Sequence, residues 1–558
     1  MGSIFFEITI IICLASLLAI FFRMLKQPPM LAYIITGVLI GPIAILHLHN
    51  LDVLRTLSDV GITLLLFLFG LELKFSDLRS IGKVAMIAGV TQVLVTFIVA
   101  GILSIVLGFS QLESLYISIA VTLSSTVVLV KLLSEKGDNR SLYAKVSVGI
   151  SLVQDFFAII ALILLSGFRP HDSSELFIPL IILFLKSVIL FTLIIWLGKV
   201  VLPKVIHIIA RSQEILFLVS LAWVFGMSAL VSIPIIGFSI EIGGFVAGLA
   251  LANSVENFQI IAKMRPLRDF FVIIFFIFLG MEMSVGHIAL IIIPAIILFL
   301  FALTFKPLIV YCTMNFLGYR KRTSFLSASG LGQLSEFSLV LILLAYRLHY
   351  ISANIVSLVT LACILSFLGA TYCILYNNQL YKILEKYLPV FGQEKNIEKI
   401  ATSEFNLSNH IILIGGTRMG ETILSALGEN PDDIIVVDFD PKVIESLRAD
   451  GIPALFGDIM DQEIQEIVQL DKAKLVVSTL SDLENNIFII KASHVAKKRV
   501  KVIVMAYDID DAKKLYEEGA DYVVLPHVAG GRQIAHTVKT EDLEKLEEMK
   551  EKDKKYLK

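Results

Sequence analysis

Cysteine and charged residues are scarce in this sequence of 558 residues, which has four Cys and only 17% Asp, Glu, Lys and Arg. The cysteines show no paired C-x-x-C spacing, so the sequence indicates neither a disulfide framework nor a zinc site. With 56% hydrophobic residues, the chain is too apolar for an ordinary soluble protein. Long apolar runs recur up to about residue 378, and a polar stretch rich in Asp, Glu and Lys follows.

The apolar runs predict a polytopic helical membrane domain. Each run has about 17 to 29 residues, enough for a helix to cross a hydrocarbon core of about 30 Å. We count thirteen such spans. Their approximate bounds are 3–22, 30–46, 56–73, 82–108, 112–134, 141–167, 176–202, 214–230, 236–252, 268–284, 288–316, 324–347 and 353–377.

The distribution of basic residues predicts the orientation of the chain. Lys and Arg are concentrated in alternate connections, among them 320–322, whereas the other connections carry little beyond Arg55, Arg169 and Arg347. By the positive-inside rule, the basic connections are cytoplasmic. Since the number of spans is odd, we expect the N-terminus outside and the polar C-terminal region in the cytoplasm.

Asp155 and Lys306 each lie deep inside an apolar span. A charge at the centre of a bilayer costs about 2.5–3.5 kcal/mol even on lenient insertion scales, so such residues usually face a bundle interior and mark an ion or proton path. Burial favours the protonated carboxyl and a nearby cation favours the carboxylate, so a proton and a monovalent cation can compete for Asp155. For Lys306 the sequence leaves two alternatives. It pairs either with a carboxylate, which can be Asp155 itself, or with the carbonyl ends of broken helices.

Small polar residues interrupt two spans, SIAVTLSSTVVLVKLL and FLSASGLGQLSEFSLVLILL. In transporters, such interruptions indicate discontinuous helices that cross at a site near the midplane of the membrane. The alternative is that these small residues are simple helix-packing contacts. Two further charges in apolar segments are harder to assign: Glu241 is expected in an interfacial vestibule, and Lys186 at lipid phosphates or a dimer interface.

The C-terminal region alternates short apolar strands with helical stretches, which predicts a parallel Rossmann-like α/β sheet. Its first strand leads into a glycine turn with Gly415 and Gly420, and Asp438 follows at the end of the next strand, near the spacing expected for a ribose-binding carboxylate. Thr417 replaces the middle glycine of the dinucleotide fingerprint, which favours a mononucleotide such as AMP over NAD(H).

The membrane region resembles the Kef branch of the monovalent cation:proton antiporters. The resemblance rests on the following stretches, which occur in the family's order: LAYIITGVLIGP, GITLLLFLFGLEL, TLSSTVVLV, EIGGFVAGLALA, FFVIIFFIFLGMEM, FKPLIVY and GLGQLSEFSLVL. The resemblance implies inverted repeats, a homodimer and elevator-like alternating access. It also implies electroneutral exchange of one cation for one proton. The implied ion- and proton-binding residues are Asp155, Gln154, Ser125 and Thr126, with the cation at Asp155 and with Lys306 and Glu336 as core charges.

The polar region resembles the N-terminal lobe of the regulators of potassium conductance, carried by GGTRMG, VVDFD, LFGDIMD and VVSTLSD. That resemblance implies a regulatory adenine nucleotide, either AMP or NAD(H). The alternative is an empty lobe used only for dimerisation. The expected nucleotide-binding residues are Gly415, Thr417, Arg418, Gly420, Asp438, Asp458 and Thr479.

Together these features predict a nucleotide-regulated antiporter of the plasma membrane, not an enzyme, that prefers K⁺ over Na⁺ by resemblance and has no nucleic-acid partner. A Na⁺/H⁺ antiporter and a nucleotide-gated channel-like efflux protein are the alternatives. A channel is disfavoured by the number of spans and by the lack of a T-V-G-Y-G filter sequence. The expected domains are a transmembrane domain at 1–378, a linker at 379–408, the nucleotide-binding lobe at 409–530 and a charged tail at 531–558.

Overall fold

The structure is a computed structural model with two compact units. One unit consists of Met1–Asn139 and Tyr143–Phe391, and the other of Arg140–Leu142 and Gly392–Lys558. The described residues are 4–43, 50–72, 83–136, 138, 141–167, 177–200, 202, 212–254, 256–284, 288–319, 321–388, 409–416, 419–427, 433–438, 441–460, 462–480, 482–494, 500–539 and 550.

Helices joined by short non-helical segments make up the described residues of the first unit. Its helices are α1 (Ile4–Met24), α2 (Pro29–Ile40), α3 (Leu51–Glu72), α4 (Lys83–Val106), α5 (Gln111–Thr122), α6 (Thr126–Lys136), α7 (Leu142–Gly167), α8 (Phe177–Val200), α9 (Gln213–Val231), α10 (Ile240–Leu251), α11 (Asn257–Met281), α12 (Ile288–Phe316), α13 (Lys321–Ser329), α14 (Glu336–Arg347), α15 (Ala353–Leu375) and α16 (Asn377–Leu384).

Each of the thirteen predicted spans coincides with a helix or with a pair of short helices in the described residues. Among the described residues, eight segments are long and apolar enough to cross a membrane, and α5 and α6 together form one of them. Two shorter apolar helices, α2 and α10, add to these. A helical membrane domain is thus confirmed, whereas the number of crossings stays a prediction.

The helices of the first unit pack in two groups. In the first group, α3 packs against α10 and α11, and α2, α8 and α9 pack against these. In the second, α4 packs against α5 and α12, while α15 packs against α12 and α14. Close approach within the first group depends on glycine, because a Cβ atom on Gly280 would lie 2.1 Å from the carbonyl oxygen of Ile34.

The second unit contains a six-stranded parallel sheet with the strand order β3-β2-β1-β4-β5-β6. This is the order of a Rossmann sheet, and it confirms the predicted fold of this region. The strands are β1 (Ile411–Ile414), β2 (Ile434–Asp438), β3 (Ala454–Phe456), β4 (Leu475–Ser478), β5 (Lys501–Met505) and β6 (Tyr522–Val524). The helices are α17 (Met419–Leu427), α18 (Pro441–Ala449), α19 (Gln462–Ile467), α20 (Leu483–His494), α21 (Ile509–Glu517) and α22 (Pro526–Lys539).

Candidate functional site

Both interrupted spans are broken helices, and their breaks meet inside the second helix group. One break is residues 123–125, between α5 and α6, and the other is residues 330–335, between α13 and α14. The Ser124 hydroxyl donates to the carbonyl oxygen of Leu331 at 2.9 Å, and the Gln333 amide donates to the carbonyl oxygen of Ser125 at 3.1 Å. We call these two breaks the crossing.

Serine hydroxyls bond several backbone groups in and next to the crossing. Ser338 donates its hydroxyl to the carbonyl oxygen of Ala120 at 2.5 Å, and the Leu334 N–H donates to the Ser366 hydroxyl at 3.0 Å. All these serines are fully or almost fully buried. Irregular backbone at membrane depth is tolerated only where protein or a cavity surrounds it. The serines are therefore more than packing residues: Ser124 bonds one break to the other, Ser338 bonds α14 to α5, and Ser366 bonds the second break to α15.

Asp155 lies in the middle of α7 and reaches the crossing. Its side chain is buried, and its Oδ2 accepts a hydrogen bond from the Thr126 hydroxyl at 2.7 Å. Thr126 is the first residue of α6. The positive end of that helix dipole thus lies beside a buried carboxylate, an arrangement that favours a negative charge.

Lys306, on α12, is fully buried. Its Nζ donates to the carbonyl oxygens of Leu123 and Gln333, both at 2.9 Å, so a single ammonium group joins one residue of each break. Of the two predicted pairings, the structure shows the one with broken-helix carbonyls. Asp155 is hydrogen-bonded instead by a neutral hydroxyl.

Gln154 and Asp155, although adjacent in the chain, have different hydrogen-bond partners. Its Oε1 accepts from the Ser124 N–H at 2.8 Å, and its Nε2 donates to Oε1 of Gln92 at 2.6 Å. Gln92, on α4, in turn donates to the carbonyl oxygen of Thr122 at 3.1 Å. Gln92 was not among the predicted site residues, although an amide inside an apolar span is a visible signal.

Glu336 is a second buried carboxylate at the crossing. It is the first residue of α14 and is 3% exposed. The Ser125 hydroxyl donates a hydrogen bond to its carboxylate. The last residue of the first break and the first residue of α6 thus contact different acids, since Ser125 bonds Glu336 and Thr126 bonds Asp155.

An ion-pair cluster joins the two helix groups. Arg347, at the end of α14, contacts Asp59 on α3 and lies 3.7 Å from Oε1 of Glu241 on α10. Glu241 is 4% exposed and belongs to this ion-pair cluster, which offsets the cost of burying its charge. Its expected position in an interfacial vestibule stays a prediction. The Nζ of Lys186 donates to the carbonyl oxygens of Ile235 and Ile236 at 3.0 and 3.3 Å, and its expected position at lipid phosphates or a dimer interface stays a prediction.

The predicted nucleotide residues in the described part of the second unit gather at the carboxyl edge of its sheet. Gly415 follows β1, Asp438 ends β2, Asp458 follows β3 and Thr479 follows β4. Ligands of open α/β sheets bind outside this edge, where the strand order reverses. Thr417 and Arg418 lie outside the described residues.

The glycine turn at this edge is held by its neighbours. Gly415 has a φ of +90°, a conformation that suits glycine, and the Gly416 N–H donates to Oδ2 of Asp438 at 2.7 Å. A Cβ on Gly420 would lie 2.2 Å from the carbonyl oxygen of Gly415, so the helix start packs tightly on the turn. The Thr479 hydroxyl donates to the carbonyl oxygens of Ile414 and Gly415.

Two broken helices that cross at a buried carboxylate, in an apolar helical bundle, are the features of an ion-coupled secondary transporter. Comparison with known proteins identifies the family. Residues 10–375 match the transmembrane sodium/hydrogen exchanger family, and residues 411–526 match the TrkA-N domain.

Relatives of the same architecture support this assignment. The chain is 26% identical to the cation/proton antiporter YbaL of Escherichia coli over 542 residues, which cover 94% of each chain. It is 26% identical to the glutathione-regulated potassium-efflux protein KefC of Cronobacter sakazakii over 496 residues, covering 88% of this chain and 77% of KefC. Among solved structures, the sodium proton antiporter MjNhaP1 of Methanocaldococcus jannaschii has a TM-score of 0.52 at 17% identity, covering 67% of this chain and 97% of MjNhaP1.

The chain belongs to the sodium/hydrogen exchanger family and carries a C-terminal TrkA-N domain. This confirms the predicted resemblance to Kef-type antiporters with a regulator-of-potassium-conductance lobe. The protein is a multi-pass membrane transporter of monovalent cations and protons rather than an enzyme.

Proposed function

We propose that the protein exchanges K⁺ for a proton, one for one, at Asp155. The observation that carries this proposal is the position of Asp155, a buried carboxylate in the middle of α7 whose described hydrogen-bond partner is the hydroxyl of Thr126. A carboxylate in that position can hold either a proton or a cation, but not both, so the two compete. The preference for K⁺ over Na⁺ rests on relatives such as KefC, which is named as a potassium-efflux protein.

Two neighbours support a stoichiometry of one charge for one charge. Gln154 is neutral and its amide is bonded to Ser124 and Gln92, so it adds no second acid beside Asp155. Lys306 is bonded to two backbone carbonyls, and Asp155 accepts from a hydroxyl instead, so cation binding at Asp155 breaks no bond to Lys306. Proton and cation then each add one positive charge to the same group.

Alternating access follows from the two helix groups. The crossing lies within one group, and the contacts of Arg347 with Asp59 and Glu241 join it to the other. Movement of one group against the other would expose Asp155 to each side of the membrane in turn. We further propose a homodimer in the plasma membrane, with the N-terminus outside and the TrkA-N domain in the cytoplasm, as the basic connections predict.

For the TrkA-N domain we propose a regulatory adenine nucleotide, with AMP preferred to NAD(H). Asp438 would face the ribose, and the phosphate would lie at the N-terminal end of the helix after Gly416, where free N–H groups and the helix dipole favour an anion. Arg418 would add a charge-assisted contact. The carboxyl-edge positions of Gly415, Asp438 and Thr479 support this proposal.

The test of exchange is Asp155→Asn, assayed as K⁺-dependent proton movement in proteoliposomes with an internal pH dye. The amide neither releases a proton nor supplies an anionic ligand, so we expect exchange to be abolished. Asp52→Asn is the matched control, because Asp52 is exposed at the start of α3. Exchange that persists in folded Asp155→Asn protein would refute the proposed site. Parallel assays with Na⁺ and Li⁺ test the choice of cation.

A further inference from the structure

Three charged side chains form a largely buried cluster between the two helix groups. Arg347, at the end of α14, contacts Asp59 on α3, and its Nη1 lies 3.7 Å from Oε1 of Glu241 on α10. The exposed fractions of the side chains are 14% for Arg347, 26% for Asp59 and 5% for Glu241. Both acids belong to the first group and the guanidinium belongs to the second. Each group therefore supplies the charge that compensates the other.

The cluster lies well away from the crossing, towards one face of the membrane. Glu336, at the crossing, is the first residue of α14 and Arg347 is the last, so the two are separated by about 16 Å along the helix axis. This is about half of a hydrocarbon core of about 30 Å. The same broken span begins at Lys321 and Arg322, in a basic connection that the positive-inside rule assigns to the cytoplasm. By that assignment the cluster is on the outer side of Asp155.

A cavity of about 320 Å³ adjoins the cluster. It is lined from both helix groups, by Arg55 on α3 and by Tyr346 and Arg347 on α14. Glu282 and His349 also line it, so much of its wall consists of side chains that water solvates well. A polar cavity of this size has room for several water molecules. The guanidinium of Arg347 thus has a hydrated space on one side and two acids on the other.

The surroundings of the cluster determine how it can open. Separation of the two groups would remove the guanidinium from Asp59 and Glu241, and an uncompensated buried charge is far more costly than a solvated one. The three side chains can therefore separate only where water takes the place of their partners. The adjoining cavity provides such a place. Opening of the ion pairs and opening of a hydrated route between the groups are consequently one event.

We propose that Arg347, Asp59 and Glu241 form an outer lock, which is closed in this structure and must open once in every exchange cycle. When closed, the lock separates Asp155 from the outer side of the membrane. This inference rests on the exchange and the alternating access proposed above. The cluster then takes part in transport, and a covalent link in its place should stop the cycle.

The test is a cross-link that replaces the lock. Asp59→Cys and Arg347→Cys are combined in the full-length protein, which is reconstituted in liposomes and treated with a short, uncharged bis-methanethiosulfonate. Exchange of K⁺ for protons is followed with an internal pH dye and compared with the wild type treated in the same way, since the wild type has four cysteines of its own. We expect cross-linking to lower exchange by about tenfold or more, and cleavage by a reductant to restore it.

A second cross-link is the matched control. Arg265 and Glu72 form an ion pair at 3.5 Å that joins α11 to α3, so both partners belong to the first group. Glu72→Cys combined with Arg265→Cys is treated with the same reagent. Because this link does not connect the two groups, exchange should stay within about twofold of the untreated variant.

A labelling experiment tests the lock with its central ion pair in place. Glu241→Cys keeps the contact of Arg347 with Asp59 and puts a thiol inside the cluster. A charged thiol reagent that does not cross the membrane is added on the outer side. If the lock opens in every cycle, the thiol should react about threefold or more faster during K⁺-driven exchange than without K⁺.

The inference is overturned if the link between positions 59 and 347 leaves exchange unchanged, or if both cross-links stop exchange equally. If the first double variant does not fold, labelling decides: an equal reaction rate of Glu241→Cys with and without exchange overturns the lock. Absence of exchange in the untreated wild type, or its persistence in folded Asp155→Asn protein, would instead refute the proposed function.

Discussion

Replacement of Lys306 by Met tests whether this residue holds the two broken helices together. Met has a similar length and no charge, so packing is largely kept while both hydrogen bonds are lost. The carbonyl oxygens of Leu123 and Gln333, each 2.9 Å from Nζ, would lose this donor in a site where Lys306 is 0% exposed. The perturbation therefore acts on one residue of each break at once.

The expected magnitude follows from these two contacts. A buried acceptor left without its donor costs about 1–3 kcal/mol, so two such acceptors cost about 2–6 kcal/mol. Removal of the buried ammonium also removes the cost of its desolvation, and this gain offsets part of the destabilisation. We expect a net destabilisation of about 2–4 kcal/mol.

The assay is thermal unfolding of the purified full-length protein in detergent, followed by loss of the monodisperse fraction. Lys186→Met is the matched control, because the ammonium of Lys186 also contacts two carbonyl oxygens but is only partly buried. Solvent can replace its bonds, so we expect a much smaller decrease of the melting temperature. A Lys306→Met protein that melts at or above the wild-type temperature, or no lower than Lys186→Met, would refute the reasoning.

Two other predictions concern the helix packing and the TrkA-N domain. Gly280→Ala should destabilise the protein by about 1–3 kcal/mol, because its Cβ would lie 2.1 Å from the backbone oxygen of Ile34. Gly226→Ala is the control and should leave stability unchanged, because the space around Gly226 is open. Equal melting temperatures of the two variants would contradict this prediction. AMP at about 100 times its Kd should stabilise the TrkA-N domain of the full-length protein by about 2.7 kcal/mol, and Asp438→Ala should lose this effect while the exposed Asp450→Ala keeps it. An undiminished AMP effect in Asp438→Ala would exclude the proposed ribose contact.

The general architecture could be predicted from the sequence because its signals are local. An apolar run long enough to cross a bilayer marks a membrane helix, and strands separated by helices mark a parallel sheet. A lone acid such as Asp155 in an apolar run is conspicuous because burial of a charge is costly. The serines and glycines that mark the two breaks are visible for the same reason, since they interrupt a regular apolar pattern.

Contacts between residues that are far apart in the chain could not be predicted from the sequence. Lys306 was compatible with a carboxylate or with backbone carbonyls, and only the approach of α12 to both breaks decided in favour of the carbonyls. The sequence offered no partner for Glu241, and the structure pairs it with Arg347, which is more than a hundred residues away in the chain. Such contacts depend on how helices pack, and helix packing is set by side-chain fit across surfaces that a single sequence pattern does not encode.

The sequence by itself determined which residues are charged, small or apolar, and these properties decide what must be buried in the membrane and where a helix is interrupted. The tertiary structure decided which buried groups share one site: Thr126 with Asp155, Ser125 with Glu336, and Lys306 with a carbonyl of each break. The physical reason is that the cost of burying a polar group is a local property of the residue, whereas the partner that offsets this cost is brought close only by the fold.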